Sequence, residues 1–129
     1  MIAVHVYCGH NNKRALEFTR PLVDEYFDTL REANEGYVDV TSKDYPGYQH
    51  MLESLRQGTF ESRIEEGAVW AGGPREVIEQ IESFDRAVGG VDYASIQVNF
   101  HTMRVEEAEE SLRLFAAEVV PHFAKAKVA

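Results

Sequence analysis

The sequence has a single cysteine, Cys8, so no disulfide can form within the chain, and a reducing, cytoplasmic setting is expected. A lone cysteine at a strand end is most simply a small buried hydrophobe. No apolar run approaches the roughly 20 residues that a membrane span needs. Basic residues are scarce: 13 Lys and Arg stand against 22 Asp and Glu, a formal charge of −9. That balance argues against nucleic acid and against an anionic membrane surface, both of which need clustered cations. The start, Met1-Ile2-Ala3-Val4-His5-Val6-Tyr7, lacks the basic region of a signal peptide and reads as a strand. The five histidines are scattered, with no His-x-x-x-His pair and no acidic partner at metal spacing, so no metal site is expected. Neither a Gly-x-Ser-x-Gly elbow nor a Walker loop is present, and we identify no catalytic residue. Repeats of fixed period and low-complexity tracts are missing too.

What is present is an ordinary globular composition, 44% apolar and 27% charged, in 129 residues that suit one domain. Strand and helix patterns alternate. Ile2 to Cys8 is β-rich, and Gly9-His10-Asn11-Asn12 is turn chemistry in which Asn11 or Asn12 can cap a helix. Leu16, Thr19, Leu22, Val23, Tyr26, Phe27, Leu30 and Ala33 then form one helical stripe, with Pro21 expected to kink or restart it and Gly36 to end it. Residues 37–66 are less regular, with short helices expected at Tyr48 to Gln57 and from Phe60 to about Glu66. Gly67 to Ala71 reads as a short strand, and Gly72-Gly73-Pro74 as a tight turn with Pro74 at the first helical position. The helix it opens carries Val77, Ile78, Ile81, Phe84 and Val88 and stops at Gly89-Gly90. Val91 to Phe100 is the third strand. Thr102 is placed to cap a last helix whose stripe is Val105, Ala108, Leu112, Phe115, Val119 and Phe123, with Pro121 able to bend it.

Strands separated by helices predict right-handed crossovers and a parallel sheet, an α/β fold. Three such strands leave bare edges and a naked face, so a missing part or a partner chain is expected to cover them. Strand parity sends Ile2, Val4, Val6, Val69, Ala71, Ala94, Ile96, Val98 and Phe100 to the helices. Ala3, His5, Tyr7, Ala68, Trp70, Ser95, Gln97 and Asn99 fall on the opposite side. Tyr7, Trp70, Gln97 and Asn99 would then mark a ligand site near the C-terminal strand ends, or merely line an interior. His101, just beyond the third strand, is a further contact candidate. Gly72 and Gly73 open a helix N-terminus that can receive an anion or be no more than a tight turn.

Gly67-Ala68-Val69-Trp70-Ala71-Gly72-Gly73-Pro74-Arg75-Glu76-Val77 resembles the penultimate strand and turn of luciferase-like flavin-dependent monooxygenases, with Gly73 where that family usually has Ser or Thr. Tyr93 to Phe100 is similar to the last barrel strand in one branch of it. Glu107-Ala108, Ser111 to Ala116 and Glu118-Val119-Val120-Pro121-His122-Phe123 resemble its closing helix. The N-terminal strand and Ala15 to Tyr26, with Arg20-Pro21, resemble the strand and helix before these. The resemblance implies the C-terminal part, about three strands, of a TIM (β/α)8 barrel. It implies reduced FMN, or alternatively F420, with O2 and a small organic substrate such as an aldehyde or alkanesulfonate. Tyr7, Trp70, Gly72, Gly73, Gln97, Asn99 and His101 are the candidate cofactor contacts.

Full barrels of this kind are far longer, and the family's catalytic residues lie on earlier strands, so the resemblance implies a fragment that needs its missing barrel half. The alternative is a non-catalytic α/β module that buries its open sheet by homodimerisation and binds a ligand between subunits.

Overall fold

The computed structural model describes residues 1–37 and 43–126. Part of the irregular connection, 38–42, lies outside the described residues. Chain order is β1 (Ile2–Cys8), α1 (Asn12–Asn34), a 3-10 turn (Glu35–Tyr37), α2 (Tyr48–Gln57) and α3 (Phe60–Glu65). There follow β2 (Val69–Gly72), α4 (Pro74–Val88), β3 (Ala94–Gln97), α5 (Val105–Leu114), a π-helical turn (Phe115–Val119) and α6 (Val120–Ala126). None of the described helices is long and apolar enough to cross a membrane.

The three strands are parallel, as the alternation predicts, with β1 in the middle: the order is β2-β1-β3. Here the structure departs from an arc of a barrel, in which consecutive strands are neighbours and β2 would be central. The chain steps from β1 to β2 in one direction and then crosses back over β1 to reach β3. Right-handed crossovers in opposite directions put their helices on opposite faces, and the packing follows. On one face α1 and α3 cover Val69 and Ala71 with Leu22, Val23 and Phe60. On the other, α4 and the C-terminal helix cover Val4, Val6, Cys8 and Trp70 with Val77, Phe115 and Val119. The face expected to be a lumen, carrying His5 and Tyr7, is therefore roofed by α1.

Most local signals act as expected. Pro74 starts α4, and Gly89 ends it in the left-handed conformation at φ 78°. Asn11 caps α1 by accepting from the Arg14 N–H at 3.0 Å. Three expectations fail for identifiable reasons. Helix α1 runs unbroken through Pro21, which, like Glu17 one turn earlier, is exposed, so the carbonyl deprived of its donor lies on the solvent side. Thr102 is not the cap of α5; instead the Glu107 carboxylate reaches back to the Arg104 N–H at 3.1 Å. Pro121 follows a break in the α-helical hydrogen bonding of the last helix. The turn before it widens so that Val120 N–H bonds Phe115 C=O, five residues back. Finally β3 is four residues long, and Phe100 beyond it joins the α1-side core instead of following the parity of Ile96.

Candidate functional site

In an open parallel sheet, ligands collect outside the C-terminal strand ends where the chain reverses its direction of winding, here beside β1. Strand β3 stops at the level of His5, while β1 continues to Cys8. The backbone of Cys8 faces the side that β3 has vacated, and its N–H donates instead to the buried Ser111 hydroxyl of α5 at 2.8 Å. Helix α5 thus stands across the end of the sheet. Between it and the β1–α1 turn lies a cleft of about 400 Å³.

Tyr7, Phe18 and Leu114 form its apolar wall, with the Tyr7 and Phe18 ring centroids 4.8 Å apart. Arg14 enters from the first turn of α1, and Arg104, Glu107 and Glu110 from the start of α5. Burial, then the Glu110 and Glu107 charges, push the Tyr7 phenol above its usual pKa, so it stays a neutral O–H donor at physiological pH. The Arg104 guanidinium bonds Glu107 at 3.0 Å, which lowers the carboxyl pKa and keeps that end of the cleft zwitterionic. Cys8 also lines the cleft, but burial and then Glu118 push its thiol up to about 11, so it is no nucleophile. Among the described residues no cluster of His, Cys, Asp or Glu could hold a metal ion. The cleft's groups can bind and orient a polar organic molecule; none is set up for covalent chemistry.

Of the residues expected at a site, only Tyr7 lies in this cleft. Trp70 is register partner of Val6 and points to the other face, packed edge-on to Phe84 at 6.3 Å. Alternation alone sets Trp70 beside His5 and Tyr7, but the register pairs His5 with Val69, which shifts β2 by one in parity. Gln97 and Asn99 are exposed on β3 and just beyond it. His101, in left-handed backbone at φ 53°, places Nδ1 3.2 Å from a Glu25 carboxylate oxygen and ties its loop to α1. Gly72 and Gly73 do form a tight turn, but the N-terminus of α4 is filled: the Asn12 side-chain oxygen accepts from the Gly73 N–H at 3.1 Å. A Cβ on Gly72 would stand 2.5 Å from that oxygen, which accounts for the glycine. Sequence reasoning missed Arg14, Arg104, Glu107 and Glu110. The Arg104-x-x-Glu107 spacing at a helix start is the signal in the sequence that points to two of them.

No family model matches the chain, and no curated protein does. Among solved structures, it is similar to the crystal structure of the monooxygenase RslO1 from Streptomyces bottropensis, with a TM-score of 0.60 and 22% identity. The match covers 94% of this chain but 30% of that one, so the fold likeness runs along almost all of a chain that spans under a third of its neighbour.

Proposed function

We propose that the chain is a section of a flavin-dependent monooxygenase of the luciferase-like kind, corresponding to the last strands of a (β/α)8 barrel and dependent on the remainder for catalysis. The observation that carries this reading is the fold likeness to a monooxygenase over 94% of the chain. The resemblance of Gly67 to Val77 and of Glu107 to Phe123 to the family's closing elements supports it independently.

FMN or F420 would need a phosphate site and a flat apolar slot. Arg14 and Arg104 supply cations and Tyr7 and Phe18 a wall, but Glu107 and Glu110 share the cleft and Arg104 is engaged by Glu107. The other expected contacts face elsewhere, so the chain by itself does not fit a whole flavin. Its contribution is to the substrate side: the neutral Tyr7 phenol donates to an oxygen of a small organic substrate, and Arg14 attracts a negative group. In a complete barrel β3 would lie along the outer edge of β2. Gln80 occupies that edge here, so completion entails releasing Gln80 and moving β3.

Titration of the purified chain with FMN and with F420 tests the reading, alone and after co-expression with the product of any reading frame adjoining the Met1 codon. The expected result is negligible flavin binding alone and recovery with the completing section. Tight, stoichiometric binding of either flavin by the chain alone would overturn it.

A further inference from the structure

The two edges of the sheet are treated differently. Along β2 the outward N–H and C=O of Ala71 are both taken by the Gln80 amide, at 2.9 and 2.8 Å. Nothing comparable covers β3 among the described residues. The Ile2 N–H bonds the Tyr93 carbonyl, so Tyr93, Ser95 and Gln97 turn their backbone groups toward β1. By alternation, the N–H and C=O groups of Ala94 and Ile96 point away from the sheet. The strand reads Ala-Ser-Ile-Gln, with none of the Lys, Glu or Pro residues that ordinarily protect an edge. Ser95 and Gln97 are exposed, Tyr93 is 75% exposed, and a cleft of about 530 Å³ between α4 and α6 opens against Ala94. The strand is unfinished on its edge and beside both faces.

We propose that β3 pairs with β3 of a second copy of the chain, antiparallel about a two-fold axis at Ser95, to make a continuous six-stranded sheet. The pattern of outward groups suits this occupant. With the axis at Ser95, Ala94 of each chain lies opposite Ile96 of the other. Both residues turn their free groups outward, so each pair exchanges two hydrogen bonds and all four free N–H groups and carbonyls at that edge find partners. Ser95 meets its own copy and Tyr93 meets Gln97, so no like charges face each other although each chain carries −9. Ala94 and Ile96 lie on the side of Val4 and extend that core across the seam. This inference does not rest on the flavin reading, since it concerns only the edge of β3.

Sedimentation of the full chain over a wide concentration range, together with Ser95→Cys, Gln97→Cys and Ser95→Lys, tests it. In the proposed register the two Ser95 positions form a non-hydrogen-bonded pair with Cα atoms about 4.5 Å apart, within disulfide reach. The two Gln97 positions are offset by four residues, roughly 13 Å, and are out of reach. The wild-type chain is expected to associate reversibly to twice 14.6 kDa. Ser95→Cys should link quantitatively in a glutathione redox buffer and Gln97→Cys should not. Ser95→Lys should raise the dimer dissociation constant about 3- to 10-fold with an unchanged circular-dichroism spectrum, because Ser95 is exposed in the single chain. A chain that stays at 14.6 kDa at every concentration would overturn the proposal and leave the edge to some other strand. A dimer in which Ser95→Cys fails to link, or Gln97→Cys links equally well, would overturn it too.

Discussion

Gln80 of α4 hydrogen-bonds both backbone groups of Ala71, accepting from its N–H at 2.9 Å and donating to its C=O at 2.8 Å. A side-chain amide thereby takes the place of a neighbouring strand at a residue with no exposed surface. Removing it strands a buried donor and a buried acceptor together. Gln80→Ala should lower stability by about 2 kcal/mol, read from urea unfolding, since each unsatisfied group costs on the order of 1–3 kcal/mol less whatever solvent recovers. Gln80→Glu, which keeps the acceptor and loses the donor, should fall between.

Ser111→Ala should destabilise by about 1–2 kcal/mol, because the Cys8 N–H loses the Ser111 hydroxyl as its acceptor at the end of β1 and stays buried. The same change loosens α5 against the cleft. Amide exchange at Cys8 should rise more than at Val4, and equal protection at the two would contradict the assignment.

His5 is 8% exposed, ringed by Tyr26 at 4.5 Å, Phe100 at 5.0 Å and Phe27 at 5.8 Å, and its Nε2 has no hydrogen-bond partner among the described residues. Burial lowers its pKa below the usual 6.5. The folded state therefore binds fewer protons than the unfolded chain just below that pH. The contribution is complete above 6.5 and is lost progressively as pH falls from 6.5 toward the lowered folded value. Urea midpoints measured across this window should decline for the native chain, and the part of the decline due to His5 should vanish in His5→Phe.

The Cys8 thiol, 1% exposed and pushed up to about 11, should resist alkylation at pH 8 in the folded protein and react on unfolding. Rapid labelling by iodoacetamide under native conditions would show that β1 ends in a looser setting than the one described.

How much of this could be read from the residues depends on how local each signal is. Pro74 at the start of α4, Gly89 at its end and the split of Val4 and Val6 from His5 and Tyr7 rest on neighbours in sequence, and they agree with the structure. Strand order does not. Periodicity identifies β3 as a strand but is silent on whether it lies beside β1 or β2. That depends on α4 crossing back over β1 and on Gln80 holding the other edge. The composition of the candidate site is not local either. Tyr7 and Trp70 belong together only if Val69 faces away from His5, and the register makes those two partners. Three of the cleft's charged residues, Arg104, Glu107 and Glu110, come from the start of α5, which reaches the end of β1 through the Ser111 contact, 103 residues along the chain.

The cleft, the bare edge and the two cores all depend on β1 lying between β2 and β3. Nuclear Overhauser contacts between backbone protons of β1 and β3 measure this directly. The arrangement predicts cross-strand contacts linking Ile2 with Ser95 and Val4 with Gln97, and none between β2 and β3. Contacts of Val69 or Ala71 with residues of β3, with Ile2 and Val4 showing none to that strand, would contradict it.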